Sequence, residues 1–473
     1  MIEGLRPYPE MVETGDIALP TLPAHWRFLR NGSIFSEVVQ TGHADLELLS
    51  IKAGVGILPQ KSTGRKVRAS EDRSLYKRIE PGWLGYNVMN AFFGGIGVSE
   101  YEGILSPAYA VARPKFTLCG RYYHYLYQTP MYLALFNREA YGIMYERNRL
   151  YFPRFRQISA PVPSVEEQRL IVRFLDWHGA MTGKLIRAKR RLIALLNEQK
   201  QSIIHRAVTR GLDPSAKLKP SGNPLIGDVV DGWAIRRLRN VAELRVSNVD
   251  KKVQEGELPV RLCNYVDVYR NEEVGPNIPF MEATATQFEI ERFRLKIGDV
   301  IITKDSEDWK DIGVPALVAT EADDLVCAYH LAMLRPFADE IEGGFLFWQL
   351  MGWAARWSFA MQASGVTRFG LSQGAIKALQ LVVPPLDEQK RIVAYLVEAT
   401  ADIRRGVQDA MDEIALIQEF RTRLIADVVT GQLDVRAAAA SLPDVAEGEA
   451  FADTSDDMDD EDETDFAAET EDA

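Results

Sequence analysis

Three cysteines are spread over 473 residues, and no apolar run is long enough to cross a membrane. Cys119, Cys263 and Cys327 are odd in number and lie outside any metal-ligand spacing, which argues against a disulfide framework and a zinc site. The strongest apolar stretch, residues 345–357, is shorter than the about 20 residues that span a bilayer and predicts a buried helix. No signal-peptide core is visible near the start. We therefore expect a cytoplasmic protein with no membrane association.

Motifs for catalysis are missing as well. The chain has no Gly-x-x-x-x-Gly-Lys-Ser/Thr loop for nucleotide phosphates and no Asn/Asp-Pro-Pro-Tyr pocket of amino-methyltransferases. Its six histidines show no metal spacing. The acidic residues after Lys304 are mixed with positive charge, which indicates a solvated loop rather than a nuclease site. We therefore predict no catalytic residue, no metal site and no cofactor in this chain, and no enzymatic activity of its own.

The net charge of −12 comes from the C-terminal segment. From Ala437 onward there are fifteen acidic residues and no lysine or arginine, so residues 1–436 carry a net charge of +3. A segment of this composition cannot bury a core, and we predict that residues 435–473 form a disordered acidic tail. Its role is open between a solubilising tail and a mimic of DNA phosphates.

An internal repeat organises the rest of the chain. Residues 163–213 recur as residues 384–434 at a constant offset of 221, and 16 of 51 aligned positions are identical. A long helix explains the ungapped match, because one inserted residue would rotate every later side chain by about 100°. Each copy predicts a helix of about 45 residues, roughly 65 Å long. In the second copy an apolar residue recurs every seven positions, at Leu396, Ile403, Ala410, Ile417 and Leu424.

The apolar stripe of each helix needs a partner, and the other copy is the obvious one. The segments before the two helices match more weakly: Trp26 with Trp233, Gly82 with Gly298, and residues 110–114 with 332–336. They have the composition of short strands and turns. The expected fold class is α+β: two globular α/β domains with small mixed sheets, separated by two long antiparallel helices that form a coiled coil, with a pseudo-two-fold internal repeat. If the helices are antiparallel, the two domains lie at opposite ends.

The openings of the two helices resemble the specificity subunits of Type I restriction-modification enzymes. The relevant motifs are Pro-x-x-x-Glu-Gln-x-x-Ile-Val at 163–172, Pro-Pro-Leu-Asp-Glu-Gln-Lys-Arg-Ile-Val at 384–393 and the Thr-Arg-Phe-Gly-Leu-Ser segment at 367–372. The resemblance covers residues 5–436, although the first domain has Glu-Arg-Asn-Arg at 146–149 where the second has residues 365–369. It implies target-recognition domains at 1–160 and 214–383, long helices at 161–213 and 384–434, and the tail at 435–473.

The resemblance also implies partners. Each recognition domain would read half of a split sequence in double-stranded DNA. Two modification (methyltransferase) subunits would dock on the helices and bind S-adenosylmethionine, and restriction/translocase subunits would use ATP and Mg. None of these cofactors would bind to this chain.

Candidate DNA contacts come first from the charge of the first domain. Residues 24–160 hold 18 basic against 10 acidic residues, whereas residues 231–383 hold 17 against 22. Basic side chains neutralise phosphates, and aromatic or donor groups reach base edges. The candidates are Lys61, Arg65, Lys66, Arg68, Arg73, Arg121, Tyr122 and His124 in the first domain, and Lys304 and Arg368 in the second. An ordinary solvated face for the basic loop, and strand packing for the tyrosine, are the alternatives.

Two other functions remain open from the sequence. The chain could be a coiled-coil scaffold with two protein-binding domains, or a nucleic-acid enzyme with an unrecognised site. DNA-independent behaviour at all salt concentrations would favour the scaffold, and methylation or cleavage by the isolated chain would favour the enzyme.

Overall fold

The computed structural model describes residues 5–63, 72–142 and 148–443. The chain divides into two compact units, one formed by residues 1–191 with 411–473 and the other by residues 192–410. Each unit contains one globular domain and one segment of each long helix. The predicted α+β fold class is confirmed, with small sheets and long helices as its parts.

The first long helix runs from Val165–Arg210, 46 residues, or about 69 Å at 1.5 Å per residue. Its start is capped by Ser164, whose hydroxyl accepts a hydrogen bond from the Glu167 amide at 3.2 Å. The second copy forms two helices, Leu386–Ala399 and Ala401–Val429, although the repeat predicted an unbroken one. At the break the buried hydroxyl of Thr400 donates to the Leu396 carbonyl at 2.8 Å, a local bond of the kind that bends helices.

Within each unit the two long-helix segments run antiparallel. In the first unit Lys189 forms an ion pair with Glu413, and Leu175 lies in one core with Leu424. In the second unit a Cβ on Gly406 would meet the Leu196 side chain at 3.4 Å. The seven-residue stripe faces these contacts, since Leu396, Ile403, Ala410 and Leu424 are all buried.

The globular domain of the first unit contains short strands around a four-stranded antiparallel sheet. In spatial order that sheet consists of Phe35–Glu37, Tyr109–Pro114, Leu84–Asn87 and Ile96–Val98. The other strand pairs are Met11–Glu13 with Thr21–Pro23, Arg27–Arg30 with Ser159–Val162, Leu49–Lys52 with Gly56–Pro59, and Lys77–Ile79 with Gly103–Leu105. The helices are Asn31–Ile34, Gly120–Tyr127, Pro130–Glu139 and Phe152–Phe155, with 3-10 turns at Gln60–Thr63 and Ala91–Phe93.

The domain of the second unit has a five-stranded and a three-stranded sheet. The first consists, in spatial order, of Ala242–Val246, Leu331–Pro336, Val300–Thr303, Pro315–Val318 and Glu273–Val274, and the second of Met281–Ala285, Leu258–Cys263 and Leu325–Cys327. The other pairs are Leu218–Pro220 with Asp228–Val230, Ala234–Arg237 with Gln380–Val383, and Asp305–Ser306 with Phe369–Gly370. The helices are Tyr265–Tyr269, Gln287–Phe293, Gly343–Met351, Trp353–Ala360 and Gln373–Ala378, with 3-10 turns at Leu238–Asn240 and Trp309–Asp311.

The two domains share one frame. In the first, Leu84 is paired with Ala112, and in the second, Val300 is paired with Leu334, which is the register that the sequence repeat predicts. In both domains the strand after the tryptophan pairs with the strand that leads into a long helix. The three-stranded sheet of the second domain has a counterpart in the first, since the bridge between Arg294 and Val326 matches the pairing of Arg78 with Ile104 at the offsets of the repeat.

The end of the second long helix corrects the predicted start of the acidic tail. Residues 436–440 form a short helix, Arg436–Ala440, and Val435 and Ala439 are buried in the core of the first unit. The Asp434 amide also donates to the Arg6 carbonyl at 2.8 Å. The tail therefore does not begin at residue 435, because apolar residues up to position 442 pack against the domain. Residues 444–473 lie outside the described residues.

Within the described residues, no helix combines the length and the apolarity that crossing a membrane requires.

Candidate nucleic-acid interface

A glutamine fixes each domain to the start of its long helix. Gln168 is buried, accepts from the Cys119 amide at 2.7 Å and donates to the Pro163 carbonyl at 2.9 Å. Gln389 is buried and does the same with the Glu342 amide at 2.8 Å and the Pro384 carbonyl at 2.8 Å. In both domains the bonded amide lies where a helix begins. The repeated Glu-Gln motif is therefore a structural lock, made mostly to main-chain atoms.

The neighbouring glutamates hold the segment that contains the tryptophan. Glu388 accepts from the Trp233 indole at 3.0 Å. Glu167 is buried and accepts from the hydroxyl of Tyr8 at 2.8 Å, and it contacts the His25 ring at 3.0 Å. Negative charge close by and burial raise the pKa of Tyr8 far above its usual value, burial being the larger cause. The frame is thus tied by the same positions in each half.

Two neighbouring positions on the frame keep their backbone hydrogen bonds in both domains but carry different side chains. In the first domain the Leu150 amide donates to the Val88 carbonyl at 2.8 Å, and the Val88 amide lies 3.4 Å from the Ala108 carbonyl. In the second domain the Leu371 amide donates to the Lys304 carbonyl at 2.9 Å, and the Lys304 amide donates to the His330 carbonyl at 3.1 Å. The offsets of these residues are those of the sequence repeat.

In the second domain this place carries charged and polar groups. The Lys304 amine donates to Asp305 at 2.5 Å, and the His330 ring lies 3.2 Å from the same carboxylate oxygen. Burial lowers the pKa of His330, and the positive charge of Arg368 acts in the same direction. The short pair of strands Asp305–Ser306 and Phe369–Gly370 places the segments that contain Lys304 and Arg368 side by side.

Arg368 itself is exposed, and its guanidinium makes no hydrogen bond or ion pair with any described residue. Near it, the Tyr265 hydroxyl lies 3.3 Å from the Ser306 hydroxyl, and the Tyr265 ring is stacked on Tyr269 at 5.5 Å between centroids. We name the group Lys304, Asp305, His330 and Arg368 the second-domain cluster.

In the first domain the same place is a cleft of about 330 Å³. Its walls include Glu37, Lys77, Val88, Met89, Ala108, Arg149 and Tyr151. The Arg149 guanidinium donates to the Tyr151 hydroxyl at 3.3 Å, and Tyr151 packs on Tyr141 at 5.6 Å. Burial lowers the pKa of Lys77, whose amine donates to the Tyr109 carbonyl at 2.5 Å. We name this site the first-domain cleft.

The basic loop that the sequence singled out is described only at its edges. Lys61 is 91% exposed and lies 4.0 Å from Glu47, and Arg73 is half-buried. Arg65, Lys66 and Arg68 lie outside the described residues. The role of this loop in DNA contact therefore stays a prediction.

Two predicted contacts in the first domain, Tyr122 and His124, are wrong because both are buried, and a third, Arg121, has an ionic partner within the first unit. Tyr122 is fully buried, and its hydroxyl donates to the Val429 carbonyl at 2.8 Å. His124 is buried, and burial lowers its pKa to about 4, with Arg121 adding to the effect. Arg121 forms an ion pair with Asp176 at 2.8 Å. These side chains lie on a helix, Gly120–Tyr127, that packs against the first long helix, so their role is structural.

A basic surface that the sequence analysis missed lies near the Arg27–Arg30 strand. Its members are Arg27, Arg30, Lys115, Arg154 and Arg156, all exposed and none in an ion pair with a described residue. Gly32 joins them: its amide donates to the Arg156 carbonyl at 2.9 Å, and its carbonyl accepts from the Lys115 amine at 2.6 Å. We name this set the basic face. Its residues come from separate parts of the sequence, so only the fold reveals it.

The basic face adjoins the first-domain cleft. The Arg154 guanidinium lies 5.7 Å from the centre of the Tyr141 ring, and Tyr141 packs on Tyr151 of the cleft. Among the described residues, no group of three histidine, cysteine or acidic side chains could hold a metal ion.

The molecule has a duplicated fold: one frame occurs twice with unlike surfaces, and each copy is locked to a long helix. Comparison with solved structures assigns this fold. One chain, from work on complex assembly and conformational transition of the type I R-M system, matches with a TM-score of 0.56 and 16% identity over 86% of this chain and 98% of that one. The HsdS subunit from Thermoanaerobacter tengcongensis is 18% identical, with a TM-score of 0.41, over 86% and 96% of the two chains.

A curated protein gives the same resemblance in sequence. The putative type I restriction enzyme MjaX specificity subunit of Methanocaldococcus jannaschii is 24% identical over 172 residues, 36% of this chain. The match spans 40% of the length of that relative. No family model matches the chain. The resemblance to Type I specificity subunits, first indicated by the Glu-Gln motifs, is confirmed.

Proposed function

We propose that this chain is the DNA-sequence-specificity subunit of a Type I restriction-modification complex. It binds a bipartite target in double-stranded DNA through its two domains and docks modification subunits on its long helices. The chain performs no chemistry itself. S-adenosylmethionine binds to the two modification subunits, and ATP with Mg binds to the restriction/translocase subunits.

The observation that carries the proposal is the repeated frame with different surfaces. Gln168 and Gln389 make equivalent bonds, and the strand registers agree, so the frame is the same in both domains. The first-domain cleft and the second-domain cluster occupy the same place with unrelated side chains. A duplicated scaffold that carries different side chains at one equivalent place is suited to two different half-sites of one duplex.

The basic face supports DNA as the ligand. Its five cations lie on the first domain, have no anionic partner among the described residues and adjoin the first-domain cleft. Exposed cations of this kind bind phosphates and release counterions, so the affinity falls steeply with salt. In the second domain Arg368 supplies an unpaired cation within the second-domain cluster, although the domain as a whole has an acidic surplus.

Exposed apolar side chains on the long helices support docking of partner subunits. In the first unit they are Met181, Leu185, Met411, Leu416 and Phe420, and in the second unit Leu192, Leu195, Tyr395 and Val397, all between 37% and 63% exposed. A row of exposed apolar groups along a helix is suited to contact with another protein. The helices therefore offer surfaces for the modification subunits while the domains stay free for DNA.

The test is to purify the full chain with its cognate modification subunit and to map adenine methylation on DNA that the complex has treated. A split motif with a fixed gap, methylated only when this chain is present, is the expected result. Replacing residues 24–160 by those of another specificity subunit should then change one half of the motif and leave the other.

The remaining functions are outcomes of the same experiment. A chain that binds protein partners but no DNA, even at low salt, is a coiled-coil scaffold. A chain that methylates or cleaves DNA without partners is an enzyme. Either result would overturn the proposal.

A further inference from the structure

The internal repeat allows each domain to serve as the reference for the other. Positions that keep their residue type, such as Leu150 and Leu371, are buried in both domains and hold the frame. Positions that keep their backbone contacts but change their side chain are where the two domains can differ in what they bind. Val88 with Lys304, and Ala108 with His330, are such pairs, and they lie side by side in each domain.

An arginine borders this place in both domains. Arg149 directly precedes Leu150, is exposed and donates to Tyr151 at the rim of the first-domain cleft. In the second domain the residue that directly precedes Leu371 is Gly370, which has no side chain. The exposed guanidinium there belongs to Arg368, two residues before Gly370. The tight turn before it is set by Gly365, which has φ of +150°, and a Cβ there would lie 1.9 Å from the Arg368 carbonyl oxygen.

We propose that the first-domain cleft and the second-domain cluster are the base-reading surfaces of the two half-sites, with Arg149 and Arg368 as specificity-determining residues. This inference rests on the proposed function. A guanidinium presents parallel N–H donors that match the O6 and N7 acceptors of guanine in the major groove. Each half-site therefore contains a guanine that is read by one of these arginines.

The surroundings of the two arginines differ in a way that distinguishes the neighbouring bases. Val88, Met89 and Ala108 give Arg149 an apolar ledge, which suits the methyl group of thymine. Lys304, Asp305 and His330 give Arg368 donors and a carboxylate acceptor, which suit the polar edges of a G·C pair. The two half-sites are accordingly different sequences rather than a palindrome.

The test uses the complex of the full chain with its cognate modification subunit and a duplex library randomised at each position of the methylated motif. We compare Arg149→Ala and Arg368→Ala with wild type by methylation rate. Arg149→Ala should reduce discrimination on the order of 10- to 100-fold at one guanine-containing base pair of one half-site. Arg368→Ala should do so only in the other half-site.

Matched controls separate base reading from loss of charge. Arg138→Ala in the first domain and Arg261→Ala in the second remove exposed arginines that are ion-paired with Glu139 and Asp324, and both should keep the wild-type motif. Arg368→Lys keeps the charge without the forked donors, so it should bind DNA but remain relaxed at the same base pair.

The outcomes distinguish this inference from the proposed function. If the wild-type complex methylates no split motif, the proposed function itself fails. If wild type methylates such a motif and both alanine variants keep its full discrimination, only the assignment of the base-reading surfaces is overturned. Relaxation of both half-sites by either single variant would also overturn it.

Discussion

Replacement of Gln389 by alanine should loosen the second domain at a defined amide. The side chain is fully buried and makes three hydrogen bonds: it accepts from the Glu342 amide and donates to the carbonyls of Pro384 and Glu340 at 2.8 and 3.1 Å. Each bond contributes about 1 kcal/mol, so Gln389→Ala should lower the local free energy of opening by about 3 kcal/mol.

Hydrogen exchange measured by mass spectrometry is the suitable assay, because a chain with two units does not have to unfold in one step. A loss of about 3 kcal/mol corresponds to roughly 100-fold faster exchange in peptides that contain Glu342. Gln168→Ala removes two such bonds and should accelerate exchange around Cys119 by a smaller factor, about 30-fold. Gln199→Ala, on an exposed position of the first long helix, should change neither segment.

The comparison of exchange rates at the two segments tests whether the glutamine acts locally. If Gln389→Ala left exchange at Glu342 as slow as in wild type, or accelerated both segments equally, the glutamine would not be a local lock. Gln389→Met fills most of the same volume without the bonds. It should resemble the alanine variant, and a wild-type exchange rate in Gln389→Met would assign the effect to packing instead.

Three further predictions concern stability and DNA affinity. Burial holds the pKa of His124 at about 4, below its ordinary 6.5, so between these pH values only the unfolded chain binds a proton at this residue. The free energy of unfolding should therefore be highest above pH 6.5 and fall by up to about 3 kcal/mol as the pH drops to 4. The variant His124→Asn should lack this pH dependence. Gly431→Ala should destabilise more than Gly211→Ala, since both glycines have positive φ but a Cβ at 431 would lie 2.5 Å from the Pro23 Cδ. Arg156→Ala should reduce the salt dependence of DNA binding by about one phosphate, a slope change of roughly 0.9.

Each of these has a clear contrary result. Denaturation at several pH values that gives wild type and the histidine variant the same slope would place the titration elsewhere. Equal melting temperatures for the two glycine variants would mean that the proline moves away freely. An unchanged salt slope in the arginine variant, measured by fluorescence anisotropy of labelled duplex DNA, would remove the basic face from the interface.

The frame could be predicted from the sequence because the chain contains it twice. The ungapped repeat located both long helices, and the seven-residue spacing identified Leu396, Ile403 and Ala410 as buried. The break at Thr400 was not predicted, since a threonine within an otherwise continuous apolar pattern leaves no signal at the level of periodicity. The start of the tail was wrong because composition averages over a segment and hides the few buried residues at its edge.

The candidate interface was harder to predict because it combines residues that are distant in the sequence. Lys304 and Arg368 were both named from the sequence, but only the pairing of two short strands shows that their segments lie side by side. The sequence Arg121-Tyr122-Tyr123-His124 has the composition of a binding motif, yet a helix buries most of it. Arg30, Lys115 and Arg156 each lie in an unremarkable sequence context. Whether such residues are exposed and close together depends on the fold, and residue type alone does not reveal it.

The hydrogen bonds of Gln168 and Gln389 have a consequence for how such a chain can evolve. Their partners are main-chain atoms, such as the Pro384 carbonyl and the Glu342 amide, which every amino-acid sequence provides. A replacement domain from another source therefore needs only a helix that starts at the right place, and its side chains are free to differ. A whole domain can therefore be exchanged at this joint without a matching change in the helices that hold it.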